Sequence, residues 1–344
     1  MKKNNVKACC PKCFADHLLF RCAEGFAEAG CLEVKCLRCG SEGKGFEPIL
    51  LRPQFEDLFD AYEEVVDSGK GKPLHLLFQE DWKIFVNDDI AEGLVYEILP
   101  EAKGKIYLPV GSDNDYAALW DALKKEIKGE YRYCFSQDLF SEKIQSVFSQ
   151  LEETIDCEQN WFRARISEEK LKSKDMGAPP FGKARAGRAN PVGIPYLYLA
   201  ENEETAVTEV RPHKGATVYV GKFKPNEELH CLDLTDPISR ISPFFGNESL
   251  TIEELRSVSL FFKSASLDLS MPISPDVASV NYVPTQVLCE FIKKSGYAGV
   301  IYRSAYTNSR NLVVFDEKNL RVLGKIIPHE ITEFRISHSP RLRR

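Results

Sequence analysis

The sequence predicts an α+β fold, with an N-terminal zinc ribbon, a helical N-terminal domain and a C-terminal domain built on a mixed sheet. Seven of the eleven cysteines lie before residue 40, helical periodicity dominates residues 54–155, and short β-branched and aromatic runs follow residue 157. At 344 residues the chain exceeds the usual size of one domain. The expected domains are 1–45, 46–156 and 157–330, followed by a basic tail at 331–344.

Composition and charge resemble those of an ordinary globular enzyme. Hydrophobic residues make up 43% of the chain and charged residues 28%. The net charge of −6 argues against a dedicated nucleic-acid binder, which needs a basic face to neutralise phosphates. The first residues lead into cysteines and not into an apolar signal core, and no apolar run approaches the ~18 residues of a membrane span. We therefore expect a cytoplasmic protein without a membrane partner.

Two Cys-x2-Cys pairs predict a metal site. Cys10 and Cys13 form the first pair and Cys36 and Cys39 the second, with 22 residues between the pairs. A gap of two residues lets both thiolates fold around one metal, and two such pairs complete a tetrahedral zinc shell without an open position. The missing signal core disfavours a disulfide framework. Alternative ligands are Cys9, His17, Cys22 and Cys31.

Amphipathic stripes predict three helices in the N-terminal half, which we interpret as a scaffold or sensor. The first stripe predicts a helix that ends at Gly69 and consists of Phe55, Leu58, Phe59, Tyr62 and Val65. The second helix runs from Tyr116 to Gly129, with Asp113 or Asn114 as its N-cap. The third runs from about Ser136 into Glu152 and Glu153. Residues 105–110 are expected to form a short strand or an extended connector.

The C-terminal half alternates short strands with few helices. The predicted strands are Trp161–Ile166, Tyr196–Ala200, Thr217–Phe223, Leu229–Leu234, Gly299–Tyr302 and Leu312–Phe315. The predicted helices are Glu203–Arg211, about Thr251–Ser266, and Thr285–Lys294. These helices are too few and too irregularly spaced for a doubly wound sheet, so we expect a split or twisted antiparallel sheet.

Residues 161–209 contain the candidate ligand site. A strand with two arginines leads into a long loop with Lys183, Arg185 and Arg188, and then into an aromatic strand with Tyr198. A short helix with Glu209 among apolar residues follows. Guanidinium groups bind phosphates in bidentate fashion, and aromatic rings pack on other rings. The stretch therefore predicts a pocket for a ligand that carries phosphates and rings.

From about Trp161 to Asp316 the chain resembles the RES domain, which is named for an arginine, a glutamate and a serine. The matching segments are Phe162–Arg165, Gly187–Gly193, Leu197–Ala200, Ala206–Glu209, Tyr282 and Gly296–Ala305. The part upstream of about Cys157 is similar to the HEPN/RES N-terminal domain found ahead of some RES domains. The resemblance implies an ADP-ribosyltransferase-like fold and an NAD-consuming enzyme, a toxin or defence effector held by an antitoxin or another protein regulator.

The resemblance also assigns residues. The family arginine falls on Arg163, with Arg165 as the alternative register, the glutamate on Glu209 and the serine on Ser304. Further binding positions are Arg165, Arg188, Asn190 and Tyr198. Taken singly, these residues have plainer interpretations: a lone glutamate is more often a surface group, and Ser304, Asn308 and Asn311 are typical turn residues.

The chemistry is plausible from the residues themselves. Breaking the nicotinamide–ribose bond develops positive charge on the ribose, which a fixed carboxylate such as Glu209 stabilises by roughly 10²–10³ in rate. Arg163 and Arg188 suit the pyrophosphate better than lysine would. Ser304 is expected to bond a ribose hydroxyl or the nicotinamide amide, and Tyr198 to pack against the ring.

Three functions remain open on the sequence. The first is an NAD phosphorylase or glycohydrolase, in which phosphate or water accepts the ribose. The second is a protein ADP-ribosyltransferase, and the third is a non-catalytic zinc-ribbon binding protein. The complete set of Arg163, Glu209 and Ser304 favours an enzyme. A homodimer through a sheet edge is a further expectation.

Overall fold

A computed structural model describes residues 8–30, 32–66, 69, 71–111, 116–132, 142–246 and 249–333. Several sequence-based expectations fall outside these residues: Cys31, Asp113, Asn114, Ser136 and the basic tail from residue 334 onward. Among the described helices, none combines the length and the apolar character needed to cross a membrane. The chain divides into two compact units, Met1–Leu151 with Asp236–Ala265, and Glu152–Thr235 with Ser266–Arg344.

The first unit is mainly helical. Its helices are α1 (His17–Gly30), α2 (Arg52–Asp60), α3 (Leu74–Trp82), α4 (Asp88–Ile98), α5 (Tyr116–Gly129), α6 (Glu142–Gln145), α7 (Phe148–Leu151) and α9 (Pro237–Arg240). Two antiparallel strand pairs accompany them: β1 (Leu32–Lys35) with β2 (Glu42–Gly45), and β3 (Tyr62–Glu64) with β4 (Tyr107–Pro109). The long helix α10 (Ile252–Ser270) starts in this unit. Trp120 of α5 packs edge to face on Phe261 of α10.

The structure corrects two of the helix predictions in this half. The first helix ends at Asp60 and not at Gly69, because Tyr62 belongs to β3, where its buried hydroxyl donates to Asp81 Oδ2 at 2.9 Å. The third prediction is wrong at its end: α7 stops at Leu151 and the chain continues as a strand. In both cases tertiary pairing overrides helical periodicity. The predicted helix from Tyr116 to Gly129 and the strand within residues 105–110 are confirmed.

The second unit is built on an eight-stranded sheet. Its strands are β5 (Glu152–Ile155), β6 (Trp161–Ile166), β7 (Leu197–Ala200), β8 (Thr217–Pro225), β9 (Leu229–Asp233), β10 (Gly299–Arg303), β11 (Arg310–Val314) and β12 (Leu320–Glu330). The strand order is β12-β8-β6-β7-β11-β10-β9-β5, and β9 with β10 is the parallel pair, while the other neighbours are antiparallel. The six predicted strands are confirmed, and so is the mixed sheet of the predicted fold class; the sheet is not wholly antiparallel because β9 and β10 run parallel. The helices of this unit are α8 (Glu203–Glu209), α11 (Pro275–Asn281) and α12 (Val283–Lys294).

The two faces of this sheet carry different side chains. One face holds a core of large residues, which includes Trp161, Leu197, Phe223, Ile301 and Leu312. The other face is lined by small residues, Ala164, Ala200, Val218 and Val220, which form one buried cluster with Ala206 of α8. Because successive side chains of a strand point to opposite faces, a six-residue strand such as β6 contributes to both. The face with small residues leaves room for a cavity.

Candidate active site

A row of four side chains crosses the face with small residues. Phe162 of β6 pairs with Ala200 of β7, Ala200 with Asn311 of β11, and Asn311 with Tyr302 of β10. Residues opposite one another on neighbouring strands share a face, so these four form one floor. A cavity of about 320 Å³ lies against it. Its other polar or aromatic lining residues are Arg163, Arg188, Tyr198, Glu209 and Tyr282.

Glu209 is held at this cavity by two donors. It is the last residue of α8 and is half-buried. Ser304 Oγ donates to its Oε1 at 2.7 Å, and Asn311 Nδ2 donates to the same oxygen at 2.7 Å. Among the described residues no donor contacts Oε2. One carboxylate oxygen is therefore fixed by the protein, while the other remains available to a ligand.

The helix that carries Glu209 is fastened to the loop that carries Ser304. The side chain of Asn202 caps α8 by accepting from Thr205 N at 2.8 Å, and its Nδ2 donates to Ser309 Oγ at 2.9 Å. The hydroxyls of Thr205 and Thr307 lie 2.9 Å apart. These bonds tie the first turn of α8 to the β10–β11 connection. They hold Glu209 and Ser304 in a fixed relation although 95 residues separate them in sequence.

Arg163 lies where two strands of the sheet separate. β6 and β7 pair only through Phe162 and Ala200, and just beyond this pair Arg163 Nη1 donates to Tyr198 O at 3.3 Å. Its Nε is buried without a partner, and among the described residues no carboxylate lies within ion-pair distance. Burial, and then the neighbouring Arg165 guanidinium, lower the pKa of Arg163 to about 10. A partly buried cation whose Nε is shielded from water and has no counter-ion is costly, so the arrangement favours an anionic ligand.

Arg188 is a second guanidinium in the same cavity and is more deeply buried than Arg163, with 8% exposure. Its Nη1 donates to Leu269 O at 2.8 Å, and no carboxylate pairs with it in the described part of the chain. Its backbone is held by α12, because Thr285 Oγ1 donates to Arg188 O at 2.6 Å and Gln286 Nε2 donates to Gly187 O at 2.8 Å. The loop thus presents Arg188 from a fixed backbone.

Asn190 and Tyr198 hold the loop together. Asn190 Nδ2 donates to three backbone carbonyls of the loop, and its Oδ1 accepts from Tyr198 Oη at 2.6 Å. Burial raises the pKa of Tyr198, so that its hydroxyl stays a neutral donor. A Cβ on Gly187 would lie 2.4 Å from both Asn190 Oδ1 and Tyr198 Oη, which leaves space for glycine alone. These polar atoms therefore shape the wall of the site.

A second cavity of about 500 Å³ adjoins the first and shares Arg163, Gly187 and Tyr198 with it. Its lining contains four cationic side chains: Arg163, Arg165, Lys183 and Arg185. Arg165 is exposed and donates to the backbone oxygen of Asp175. Two adjoining cavities that share Arg163 can accommodate two halves of one anionic ligand.

The four cysteines of the two Cys-x2-Cys pairs form one cluster in the first unit. Their sulfur atoms all lie within 4.8 Å of one another, with 3.3 Å between Cys10 and Cys39 and 3.5 Å between Cys13 and Cys36. A tetrahedral zinc site with Zn–S bonds of about 2.3 Å places its sulfurs about 3.8 Å apart, so the cluster fits such an ion. The described cysteines are free thiols, and Cys22 is exposed.

The cluster is not uniformly ionised. Burial, followed by the hydrogen bond with Cys39, raises the pKa of the Cys10 thiol to about 12. Burial opposes ionisation at Cys39 as well, but hydrogen bonds from Ser41 lower the pKa of that thiol to about 6. Because a metal binds thiolates, its binding would release protons from the cluster.

Fold and site together define an α+β protein with a mixed sheet. A cavity on this sheet contains two arginines without carboxylate partners among the described residues, beside the fixed carboxylate of Glu209. The model of the RES domain matches residues 160–337, slightly more than half of the chain, and the chain belongs to the RES domain family. Among solved structures the chain is similar to one in the crystal structure of the M. tuberculosis MbcT–MbcA toxin–antitoxin complex, with 17% sequence identity over 56% of this chain and 94% of that one. The TM-score of 0.33 is too low to carry an argument. No curated protein matches the chain.

The structure brings most of the predicted site residues together. Arg163, Arg188, Tyr198 and Glu209 line the first cavity, and Ser304 contacts it through Glu209. Arg165 and Asn190 line only the second cavity. Sequence reasoning missed Phe162, Tyr302 and Asn311 as lining residues, and Asn311 was interpreted as a turn former. The available signal was its position ahead of Leu312-Val313-Val314, since asparagine is depleted in strands and needs a reason to be there.

Proposed function

We propose that this protein is an NAD-degrading enzyme, an NAD phosphorylase or glycohydrolase, with an ADP-ribosyltransferase-like catalytic domain. The observation that carries the proposal is the cavity itself: two guanidiniums without carboxylate partners, those of Arg163 and Arg188, share it with the fixed carboxylate of Glu209. A ligand with a pyrophosphate and a sugar that becomes positively charged would complement both. NAD has these two features.

The residues divide the reaction between them. The C–N bond between ribose and nicotinamide breaks, nicotinamide leaves with the electron pair, and an oxygen of phosphate or water bonds to the ribose carbon. An attacking water releases one proton to the solvent. Glu209 stabilises the positive charge that develops on the ribose. Arg163 and Arg188 hold the pyrophosphate, while Phe162, Tyr282 and Tyr302 supply ring surfaces. Ser304 acts through its hydrogen bond to Glu209.

The two cavities suit the two halves of NAD. The smaller one, which contains Glu209, takes the nicotinamide riboside, and the larger cationic one takes the adenosine side. Arg163 lines both cavities, so the pyrophosphate that joins the halves would lie beside it. In this arrangement Arg163 is the family arginine, and Arg165 lines only the second, larger cavity.

The proposal includes a structural zinc ion at Cys10, Cys13, Cys36 and Cys39. All four sulfurs are needed to complete a tetrahedral shell, which leaves no position for a substrate. The ion would fix the turn that precedes α1 to the connection between β1 and β2, and its role would be folding or recognition. The wider setting, a cytoplasmic toxin or defence effector with an antitoxin partner, belongs to the same proposal.

The test incubates the purified protein with NAD, with and without phosphate, and follows nicotinamide and the ADP-ribose product by chromatography. Glu209→Gln should abolish release, whereas Glu204→Gln, an exposed glutamate on the same helix, should not. A product that changes with phosphate identifies a phosphorylase. If the wild type leaves NAD intact in both buffers, the proposal fails, and labelling of a protein band would then support a protein ADP-ribosyltransferase.

A further inference from the structure

Asn311 lies in the middle of the cavity floor, and among the described residues only the nitrogen of its side-chain amide has a hydrogen-bond partner. It is 3% exposed, and its Nδ2 donates to Glu209 Oε1. Because a carboxylate oxygen accepts hydrogen bonds, the amide must turn its NH2 group toward Glu209. Its Oδ1 is then left buried with no partner among the described residues. Buried acceptors without a partner are rare and each needs a reason.

We propose that Asn311 is a positioning residue for Glu209 in the reaction proposed above, on which this inference rests. Nδ2 holds Oε1, so that the carboxylate turns Oε2 to the ribose carbon. Oδ1 is kept as an acceptor for a hydroxyl or amide N–H of the bound nucleotide. Of the buried polar atoms without partners in the described chain, two belong to lining residues of this cavity: Arg163 Nε, a donor, and Asn311 Oδ1, an acceptor.

The strand around Asn311 is fixed from both sides. Its backbone pairs with Ala200 and Tyr302, and the preceding residue, Arg310, forms ion pairs at 2.7 Å with Glu201 and at 2.8 Å with Glu153. Asn311 is therefore placed by the sheet and not by Glu209. The other titratable groups at the cavity stay the same when Asn311 is replaced: Arg163, Arg188, Tyr198, Tyr282 and Tyr302.

The first test replaces Asn311 by an isosteric group that cannot donate when ionised. For Asn311→Asp we expect kcat for nicotinamide release to fall at neutral pH by about 10–100-fold, with a smaller change in KM, since a charge-assisted hydrogen bond is replaced by repulsion. The difference in kcat between Asn311→Asp and the wild type should shrink as the pH falls, because the carboxylates at positions 209 and 311 can then share a proton in a hydrogen bond. Asn308→Asp, an exposed residue of the same connection, is the matched control.

The second test does not depend on activity. Glutamate side chains labelled with carbon-13 are observed by NMR at neutral pH, and the Glu209 signal is identified by its loss in Glu209→Gln. In Asn311→Ala the chemical shift of the Glu209 carboxyl carbon should change, because Oε1 loses one of its two donors, while Asn308→Ala leaves it in place. Circular dichroism checks that each variant is folded, and Asn311→Ser replaces any that is not.

The outcomes separate the two proposals. A wild type that does not cleave NAD refutes the proposed function, and the NMR comparison then decides whether Asn311 holds Glu209. If the wild type cleaves NAD but Asn311→Asp keeps its kcat and pH profile, the positioning role is refuted. An unchanged Glu209 signal in Asn311→Ala refutes it as well.

Discussion

The cysteine cluster of the first unit and the Glu209 cavity of the second satisfy their polar groups in opposite ways. The four thiols face one another within 4.8 Å and can close a complete metal shell among themselves. In the cavity, Glu209 receives two donors on one oxygen, whereas Arg163 Nε and Asn311 Oδ1 receive no partner in the described chain. A closed set of ligands stabilises a fold, and an open set leaves binding energy for a ligand.

The same difference extends to how each site is built. The cysteines come from two short knuckles, and hydrogen bonds such as Cys36 N to Ser41 O at 2.8 Å shape the second locally. The cavity draws on five separate elements of one sheet domain, from β6 to β11. Changes at the cluster should therefore act on stability, and changes at the cavity should act on turnover.

The largest effect is expected at the metal cluster. Cys13→Ser removes a fully buried thiol of the proposed zinc site, and because binding of structural zinc contributes of the order of 10 kcal/mol at neutral pH, we expect a protein without zinc and an unfolded first unit. Metal content measured by plasma spectrometry together with thermal denaturation checks this. Cys22→Ser, an exposed cysteine outside the cluster, should retain one zinc per chain. A Cys13→Ser protein with full metal content would contradict the view that the four thiols form one closed metal shell.

A smaller but still large effect is expected at Arg163. Arg163→Lys keeps the charge but loses bidentate geometry, so kcat/KM for NAD should fall by roughly 10–100-fold, with little change in thermal stability. Arg165→Lys, on the same strand but exposed, should change kcat/KM far less. Steady-state kinetics of the two variants decide between the two registers. The opposite ranking would assign the family arginine to Arg165.

Gly187→Ala should affect both the loop and turnover. The added Cβ would collide with Asn190 Oδ1 and Tyr198 Oη, which hold the wall of the cavity. Overpacking of this kind costs about 1–3 kcal/mol of unfolding free energy, and displacement of Arg188 should raise KM. Denaturant titration and kinetics measure the two effects. The matched control is Gly129→Ala, because the added Cβ would meet open space among the described residues. Gly182→Ala is not suitable, since Gly182 has a φ of 78°, which favours glycine.

The smallest change is expected for Tyr198→Phe. The ring stays in place, but Ala189 N and Asn190 Oδ1 lose their partner, at a cost of about 1–3 kcal/mol in unfolding free energy. If Tyr198 acts through packing, kcat should change little. A large loss of kcat without loss of stability would show instead that its hydroxyl takes part in the reaction.

Features that depend on residues close together in the sequence were predicted better than features that depend on distant residues. The cysteine spacing and the β-branched runs were sufficient for the cluster and for six strands, because both signals lie within a few residues. The end of α2 was missed, since Tyr62 is drawn into a strand by Tyr107–Pro109 and Asp81, far away in sequence. The helices α3 and α4 and the long edge strand β12 were also missed. Asn311 stood out only as an asparagine within a strand, and its hydrogen bond to Glu209, 102 residues away, is not visible in the sequence.

The most direct test of the account is a crystal structure of Glu209→Gln soaked with NAD, because this variant should bind the substrate without cleaving it. The account predicts the nicotinamide riboside over the row from Phe162 to Tyr302, with the pyrophosphate on Arg163 and Arg188. It also predicts a hydrogen bond from the ligand to Asn311 Oδ1. An empty cavity at saturating NAD, or NAD bound elsewhere on the chain, would contradict it.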